Sequence, residues 1–198
     1  MATGDLTTLA NVKQVLHLTT AGDDLLLMAM ITRASQFIQK WLNRTIASQA
    51  YTEQRDGRGG DFMVFANYPV TAVSSVKVNG YVVPASPDNG IMQPGYGFDA
   101  TTLWLSGFSF ASAYPAGPSY VFTRGRRNVQ LVYTAGFAAT PPEIEAACIE
   151  LVTLRFRELD RIGHRSKSLA GEVVTFLVTD FHPATQTILQ NYKKVIPL

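Results

Sequence analysis

Hydrophobic and polar residues alternate along this chain with two different periods, and each period predicts a different element. Leu9, Val12, Val15 and Leu16 fit a short helix starting at about Thr8. Thr20 with Asp23 reads as the start of a second helix, and Asp23 and Asp24 suit its positive N-terminal end. In that helix Leu27, Ile31, Ala34, Ile38 and Trp41 recur at four- and three-residue steps, which makes a buried stripe widened by Leu26, Met30 and Phe37. The helix should end near Leu42 and Asn43, because Thr45, Ile46 and the residues after them favour strand.

From about Ile46 to Val83 the period falls to two. Tyr51 to Arg55 reads as a strand, Asp56 to Gly60 as a loop, and Phe62 to Phe65 as the returning strand. Val73, Val76 and Val78 begin a further hairpin that turns at Asn79-Gly80 and is completed by Tyr81, Val82 and Val83. Val129, Leu131 and Tyr133 alternate with polar residues as a half-buried strand, which Gly136 allows to turn. Thr140 then reads as a helix cap, with Pro141 at the first helical position and Glu143 three residues after the cap.

That third helix should reach Arg161 or Ile162. Ile144, Ala147, Cys148, Leu151, Val152 and Leu159 lie on one side of it. Arg155 falls within the stripe, so its charge needs a partner, in this chain or another subunit, or a path to water along its stem. Residues 162–168 read as a basic loop and Glu172 to Thr179 as a β-prone segment. Asp180 and Pro183 open a last short helix with Ile188, Leu189, Tyr192 and Val195 on its apolar side. The fold class expected is α+β: a helical bundle of two N-terminal helices, one long and one short C-terminal helix, with a central antiparallel β elaboration. We expect one domain over residues 1–198, with its β-rich middle at 46–134.

Composition changes this picture in two places. Hydrophobic residues are 46 % of the chain and charged residues only 16 %, against roughly 25 % in ordinary domains. Surface so poor in charge is most simply hidden by self-association. Residues 84–123 carry only Asp88 and Asp99 as charges but hold Tyr96, Phe98, Trp104, Phe108, Phe110, Tyr114, Tyr120 and Phe122. Thr101 to Leu105 reads as a strand and the remainder as a long ordered loop or extended hairpin. The segment is either a second small core or a protein contact surface, since uncharged aromatic stretches suit interface cores.

The search for chemistry excludes more than it finds. Cys148 is the only cysteine, so no intramolecular disulfide or cysteine zinc cluster can form, and it reads as a small buried thiol. Gly57, Gly59 and Gly60 lack the Lys-Ser/Thr and the strand-to-helix setting of a phosphate loop, and Gly107 to Ala111 lacks the second glycine of a nucleophile elbow. His17, His164 and His182 have no metal-ligand spacing, and His182 before Pro183 reads as a cap or solvated group. We therefore expect no enzyme, no metal and no cofactor. The N-terminus lacks a secretory pattern and no apolar run reaches the ~20 residues of a membrane span, so synthesis in the cytoplasm and no membrane partner are expected.

A net charge of +2 is too small for a general nucleic-acid binder. Two basic clusters remain, at Arg124 to Arg127 and at Arg161, His164, Arg165 and Lys167. Each alone is a solvated loop, but ring symmetry would multiply either into a field.

The order of these elements resembles the head-tail connector (adaptor) proteins of long-tailed phages, of the HK97 type. The residues that carry the resemblance are Leu9-Ala10-Asn11-Val12-Lys13-Gln14-Val15-Leu16 with Asp23-Asp24-Leu25-Leu26, then Asp56-Gly57, Tyr68-Pro69-Val70 and Val76. It closes with Tyr133-Thr134-Ala135-Gly136-Phe137 and Pro142-Glu143-Ile144-Glu145-Ala146-Ala147. It spans residues 6–83 and 128–195, and the aromatic segment 84–123 departs from the smaller, nearly all-helical members.

The resemblance implies a structural protein of the virion neck, made in the host bacterial cytoplasm. It implies a dodecameric ring between the portal and the stopper or tail-completion protein, with non-specific double-stranded DNA passing through the lumen. On that basis Tyr192, Lys193, Lys194, Val195, Ile196 and Leu198 would dock on the portal. Arg161, His164, Arg165 and Lys167 would face DNA or the portal, and Tyr96, Phe98, Trp104, Phe108, Phe110 and Tyr114 would meet a subunit or the tail. The alternative is a small β-rich ligand- or carbohydrate-binding module of a phage particle, which would use Trp104, Tyr96 and Tyr114 but leaves the flanking helices unexplained.

Overall fold

The computed structural model describes residues 4–86, 94–106, 120–159, 166–169, 172–175 and 181–194. They divide into two units, one of Ser48–Ala138 and one of the chain before and after it. Helices and antiparallel sheets together give the α+β class expected.

The β unit is organised by its longest strand. Its strands are β1 (Gln49–Gly57), β2 (Phe62–Val64), β3 (Val70–Val78), β4 (Tyr81–Val83), β5 (Gly95–Phe98), β6 (Thr102–Ser106) and β7 (Gly125–Ala135). In one antiparallel sheet the order is β1-β7-β3-β4; in a second it is β2-β6-β5. Val129, Leu131, Tyr133 and Ala135 of β7 alternate inward and are buried, as the period of two predicts. Leu103, Leu105 and Tyr96 of the second sheet share one core with them, together with Phe65, Val76 and Phe122.

The turn at Asn79-Gly80 is the predicted hairpin: both residues have positive φ, 52° and 84°, as a two-residue type I′ turn needs. The expected hairpin of residues 51–65 is not formed. β1 pairs with β7 from Gln49↔Ala135 onward, and β2 pairs with β6 through Phe62↔Trp104. The sequence pattern marked both strands, but each buries its inward face better against a distant partner than against the other.

Two polar networks hold this unit. The Tyr133 hydroxyl donates to Glu53 Oε1 at 2.5 Å and accepts from the Asn67 backbone N–H at 3.1 Å. Burial, and then the Glu53 carboxylate, push the phenol well above its ordinary pKa. At the start of β7, Asn128 Oδ1 accepts from Gly57 N–H at 2.9 Å while its Nδ2 donates to Thr123 O at 2.9 Å and Asn79 Oδ1 at 3.0 Å. Gly57 sits so close that a Cβ there would lie 1.9 Å from the Thr123 carbonyl oxygen. Only glycine fits.

The helical unit contains α1 (Leu9–Leu16), α2 (Asp24–Leu42), α3 (Pro142–Arg157) and α4 (Pro183–Gln190). Among the described residues, no helix is long and apolar enough to cross a membrane. Thr8, the expected start of the helix, caps α1 by accepting from Asn11 N–H at 3.2 Å. Helix α2 begins one residue after Asp23, and neither Thr20 nor Asp23 makes a side-chain cap. It ends at Asn43 in the left-handed conformation, φ 54°. Leu27, Met30, Ile31, Ala34, Ile38 and Leu42 are buried, whereas Leu26 and Trp41, predicted on the stripe, are exposed or half-buried.

Helix α3 starts at Pro142 rather than Pro141. Pro141 takes the cap position, Thr140 makes no cap, and the Pro141 carbonyl accepts from Ile144 and Glu145 N–H at 3.0 Å. The helix stops at Arg157, short of the predicted Arg161, and leaves Leu159 exposed. The expected loop 162–168 gives way in part to a strand. β8 (Ser166–Leu169) pairs with β9 (Glu172–Thr175), and Lys167 lies opposite Val174. At α4, His182 Nδ1 accepts from Ala184 N–H at 3.4 Å, in the capping role expected.

Where α3 meets α2, Ser35 accepts from Leu6 N–H at 2.9 Å and lies 3.6 Å from Cys148 Sγ. Burial raises the Cys148 thiol to about 11. Because the folded state holds the proton more tightly, this contribution to stability is complete below the unfolded thiol's pKa and is lost as pH rises through about 11. At neutral pH a disulfide reagent is therefore expected to label the native protein at least roughly 100-fold more slowly than the urea-unfolded chain. Equal rates would show that Cys148 is accessible.

Candidate assembly surfaces

The first surface is the chain's exit from the helical unit. After α4 the backbone turns back on α2: Lys194 N–H donates to the Leu42 carbonyl at 2.9 Å, capping an open end of that helix. Arg44 Nη1 donates to Tyr192 O at 3.4 Å, and the Tyr192 hydroxyl donates to Glu143 Oε2 at 3.0 Å. Burial, followed by the Glu143 carboxylate, raises the Tyr192 phenol above its ordinary pKa. Lys193 Nζ stands 4.9 Å from the centre of the Trp41 ring, a cation–π contact. Phe181 packs against both Trp41 and Phe37, at 6.1 and 5.6 Å between ring centres. Half-buried Trp41 is thus taken up by the C-terminal segment. Tyr192, Lys193 and Lys194 make these contacts within their own chain, with Lys193 still exposed, while Val195, Ile196 and Leu198 lie outside the described residues.

On the same unit, Leu26, Met30, Arg33, Arg155, Glu158 and Leu159 line an open groove of about 250 Å³. The Arg155 guanidinium lies 5.2 Å from the centre of the Phe37 ring. That contact answers how a charge can sit within an apolar stripe: the stem is packed and the head rests on an aromatic face.

The second surface is the outer face of the sheet β2-β6-β5. Register places Phe62, Trp104 and Gly97 in one row across the three strands. Phe62 is 65 % and Trp104 40 % exposed. A Cβ on Gly97 would lie 2.4 Å from the Trp104 indole nitrogen, so the ring lies flat over the glycine and is held there. Val64, 40 % exposed, extends the patch. Asp99 closes the β5–β6 turn by accepting from Thr101 and Thr102 N–H at 2.7 and 2.6 Å, which holds its carboxyl below the usual pKa.

The predicted contact residues therefore divide. Trp104 faces outward. Tyr96 is buried, its phenol raised by desolvation and its hydroxyl donating to Val73 O at 3.2 Å. Phe98 packs against the core. Period two explains the split, since Tyr96 and Phe98 pair with the inward Leu105 and Leu103. Phe62 was missed because it read as one strand of a local hairpin, and only the β2–β6 pairing places it beside Trp104. Phe108, Phe110, Tyr114, Arg161, His164 and Arg165 lie outside the described residues, and Lys167 is placed by its strand alone.

The described surfaces are an apolar row on one sheet and an anchored C-terminal segment on the helices. The sequence pattern of the head completion protein family matches residues 5–195, and the chain belongs to that family. The connector resemblance is upheld: this is a head-tail connector or completion protein of a phage-like particle. A search among curated proteins finds no match. Among solved structures, the chain is similar to one in the neck of an empty gene-transfer-agent particle computed with C6 symmetry. That match has 19 % identity and a TM-score of 0.54, covering 100 % of this chain and 94 % of the other. A chain of the virion of the native gene transfer agent aligns over the same shares at 17 % identity and a TM-score of 0.53. One from the native neck computed with C12 symmetry has 16 % identity and a TM-score of 0.52, again over 100 % and 94 %. These likenesses establish a shared fold over the whole chain.

Proposed function

We propose that the chain assembles as a ring, most simply a dodecamer, in the neck of the particle between the portal and the stopper or tail. DNA passes through the lumen during ejection, and the role is structural, with no catalytic step. The observation that carries this reading is the end-to-end likeness to chains from particle necks, two of them reconstructed with sixfold and twelvefold symmetry. The low charge content and the exposed Phe62–Trp104 row fit a protomer whose surface is completed by neighbours.

Within the ring, Trp104 meets a neighbouring subunit or the tail, with Phe62 and Val64 in place of the inward-facing Tyr96 and Phe98. The C-terminal residues reach the portal. The segment of Arg161, His164, Arg165 and Lys167 faces DNA or the portal. Mass photometry of the purified chain, alone and with its portal, tests the reading. A ring-sized species, or a monomer that assembles only on the portal, is expected; a monomer indifferent to the portal overturns it.

Trp104→Glu should weaken assembly at least about 30-fold, the cost of losing a central aromatic anchor, while the monomer loses the cover over Gly97 and melts somewhat lower but cooperatively. Unchanged assembly would remove Trp104 from the interface. The flat, exposed indole also suits a sugar ring, so saccharide binding by an isolated monomer would favour the ligand-module reading instead.

A further inference from the structure

We propose that one end of the β unit binds the phosphate backbone of double-stranded nucleic acid through Arg58, Arg124, Arg126 and Arg127. The sequence groups Arg124, Arg126 and Arg127, and the fold adds Arg58 to them. Gly57 pairs with Gly125, which brings Arg58 beside Arg124 although they are far apart in the chain. Beyond that pair, Gly59 N–H donates to Phe122 O at 2.6 Å and Phe122 N–H donates to Gly60 O at 2.9 Å. The Arg124 side chain lies against Gly59, its Cγ 3.2 Å from where a Cβ would be.

All four arginines are exposed, and Arg58, Arg124 and Arg126 make no ion pair among the described residues. Asp56 and Asp61 offset two of the four positive charges and leave the corner at +2. Asp56 is engaged by the Arg127 backbone N–H at 2.6 Å, and Asp61 is exposed. Arg127 holds a left-handed backbone, φ 50°, and its guanidinium is aimed by Gln54 Oε1 at 2.7 Å, a neutral partner that leaves the charge intact.

Duplex phosphate is favoured over an acidic protein because its charges are dense and evenly spaced, about one per 1.7 Å of axis. The planar guanidinium forks match its oxygens as they match carboxylates. They stand beside Gly59, Gly60 and Gly125, which are exposed and carry no side chain, so a regular backbone can approach closely. No base-reading element accompanies them, so binding is expected to be independent of sequence.

This deepens the ring reading, on which only the placement of the corner relative to packaged DNA rests. The test is fluorescence anisotropy of the full chain with labelled duplexes of two unrelated sequences, over a series of salt concentrations. Wild type should bind both alike, with log K falling linearly against log salt. The triple variant Arg58→Ala, Arg124→Ala, Arg126→Ala should lose at least about tenfold in affinity at low salt and about 2–3 from the magnitude of the slope. The corresponding triple lysine variant should keep most of the slope, and all three proteins should melt alike. An unchanged slope in the alanine variant, or stronger competition by polyglutamate than by DNA of equal charge, overturns the proposal. DNA binding by a protein that never forms rings would sink the ring reading and leave this one standing.

Discussion

Replacing Tyr133 by alanine is expected to cost the β unit about 3–5 kcal/mol, the range for removing a large buried aromatic. Three losses combine. The ring stacks on Tyr51 at 5.6 Å and tilts against Phe65 at 4.7 Å between centres, so its removal leaves a cavity in the middle of the core. The hydroxyl joins β7 to Glu53 on β1 and to the Asn67 backbone, so both groups lose a partner in a poorly solvated place. Tyr133 also stands where β7 pairs with β1 and β3 at once. Against a typical stability of roughly 5–15 kcal/mol, a loss of this size removes a large share of the margin and should clearly lower the urea midpoint. Tyr133→Phe keeps the ring and isolates the hydroxyl, for which about 1–3 kcal/mol is expected. Urea unfolding followed by aromatic fluorescence separates the two. An alanine variant within 1 kcal/mol of wild type would mean that the sheet does not depend on this core.

Truncation after Lys194 should abolish portal attachment while leaving the protein's stability within about 0.5 kcal/mol of wild type. The structure chooses this cut. Stopping at Tyr192 would also remove the Lys193 cation–π contact with Trp41 and the Lys194 N–H that caps α2, and so confuse binding with folding. Stopping after Lys194 keeps these anchors and removes only Val195, Ile196, Pro197 and Leu198, an apolar tip suited to a pocket. Co-sedimentation with portal rings and a thermal melt give the two readouts. Full attachment of the shortened protein would assign the portal contact to another surface.

Much of the local architecture was legible in the sequence. The α2 stripe, the Asn79-Gly80 turn and the alternation in β7 each repeat a simple geometric period or require a particular backbone conformation. Other errors share a cause. Thr140 looked like a cap because its spacing to Glu143 was right, yet the first turn of α3 hydrogen-bonds to the Pro141 carbonyl instead. Trp41 looked like core because its position on α2 was right, yet it is covered by Lys193 and Phe181, which lie some 140 residues or more further along the chain.

By itself, then, the sequence determined the helices and the strands of the larger sheet to within a few residues, most of the buried face of α2 and the burial of Cys148. Those are consequences of neighbours within a few residues and of apolar content. Only the tertiary structure decided that β1 joins β7 and β2 joins β6, that Tyr96 turns inward while Trp104 lies on Gly97, and that Arg58 meets Arg124. A strand's alternation specifies its faces but not its partner. Partner choice is made by closing long loops around one shared core, and the surfaces on which function rests follow from that choice.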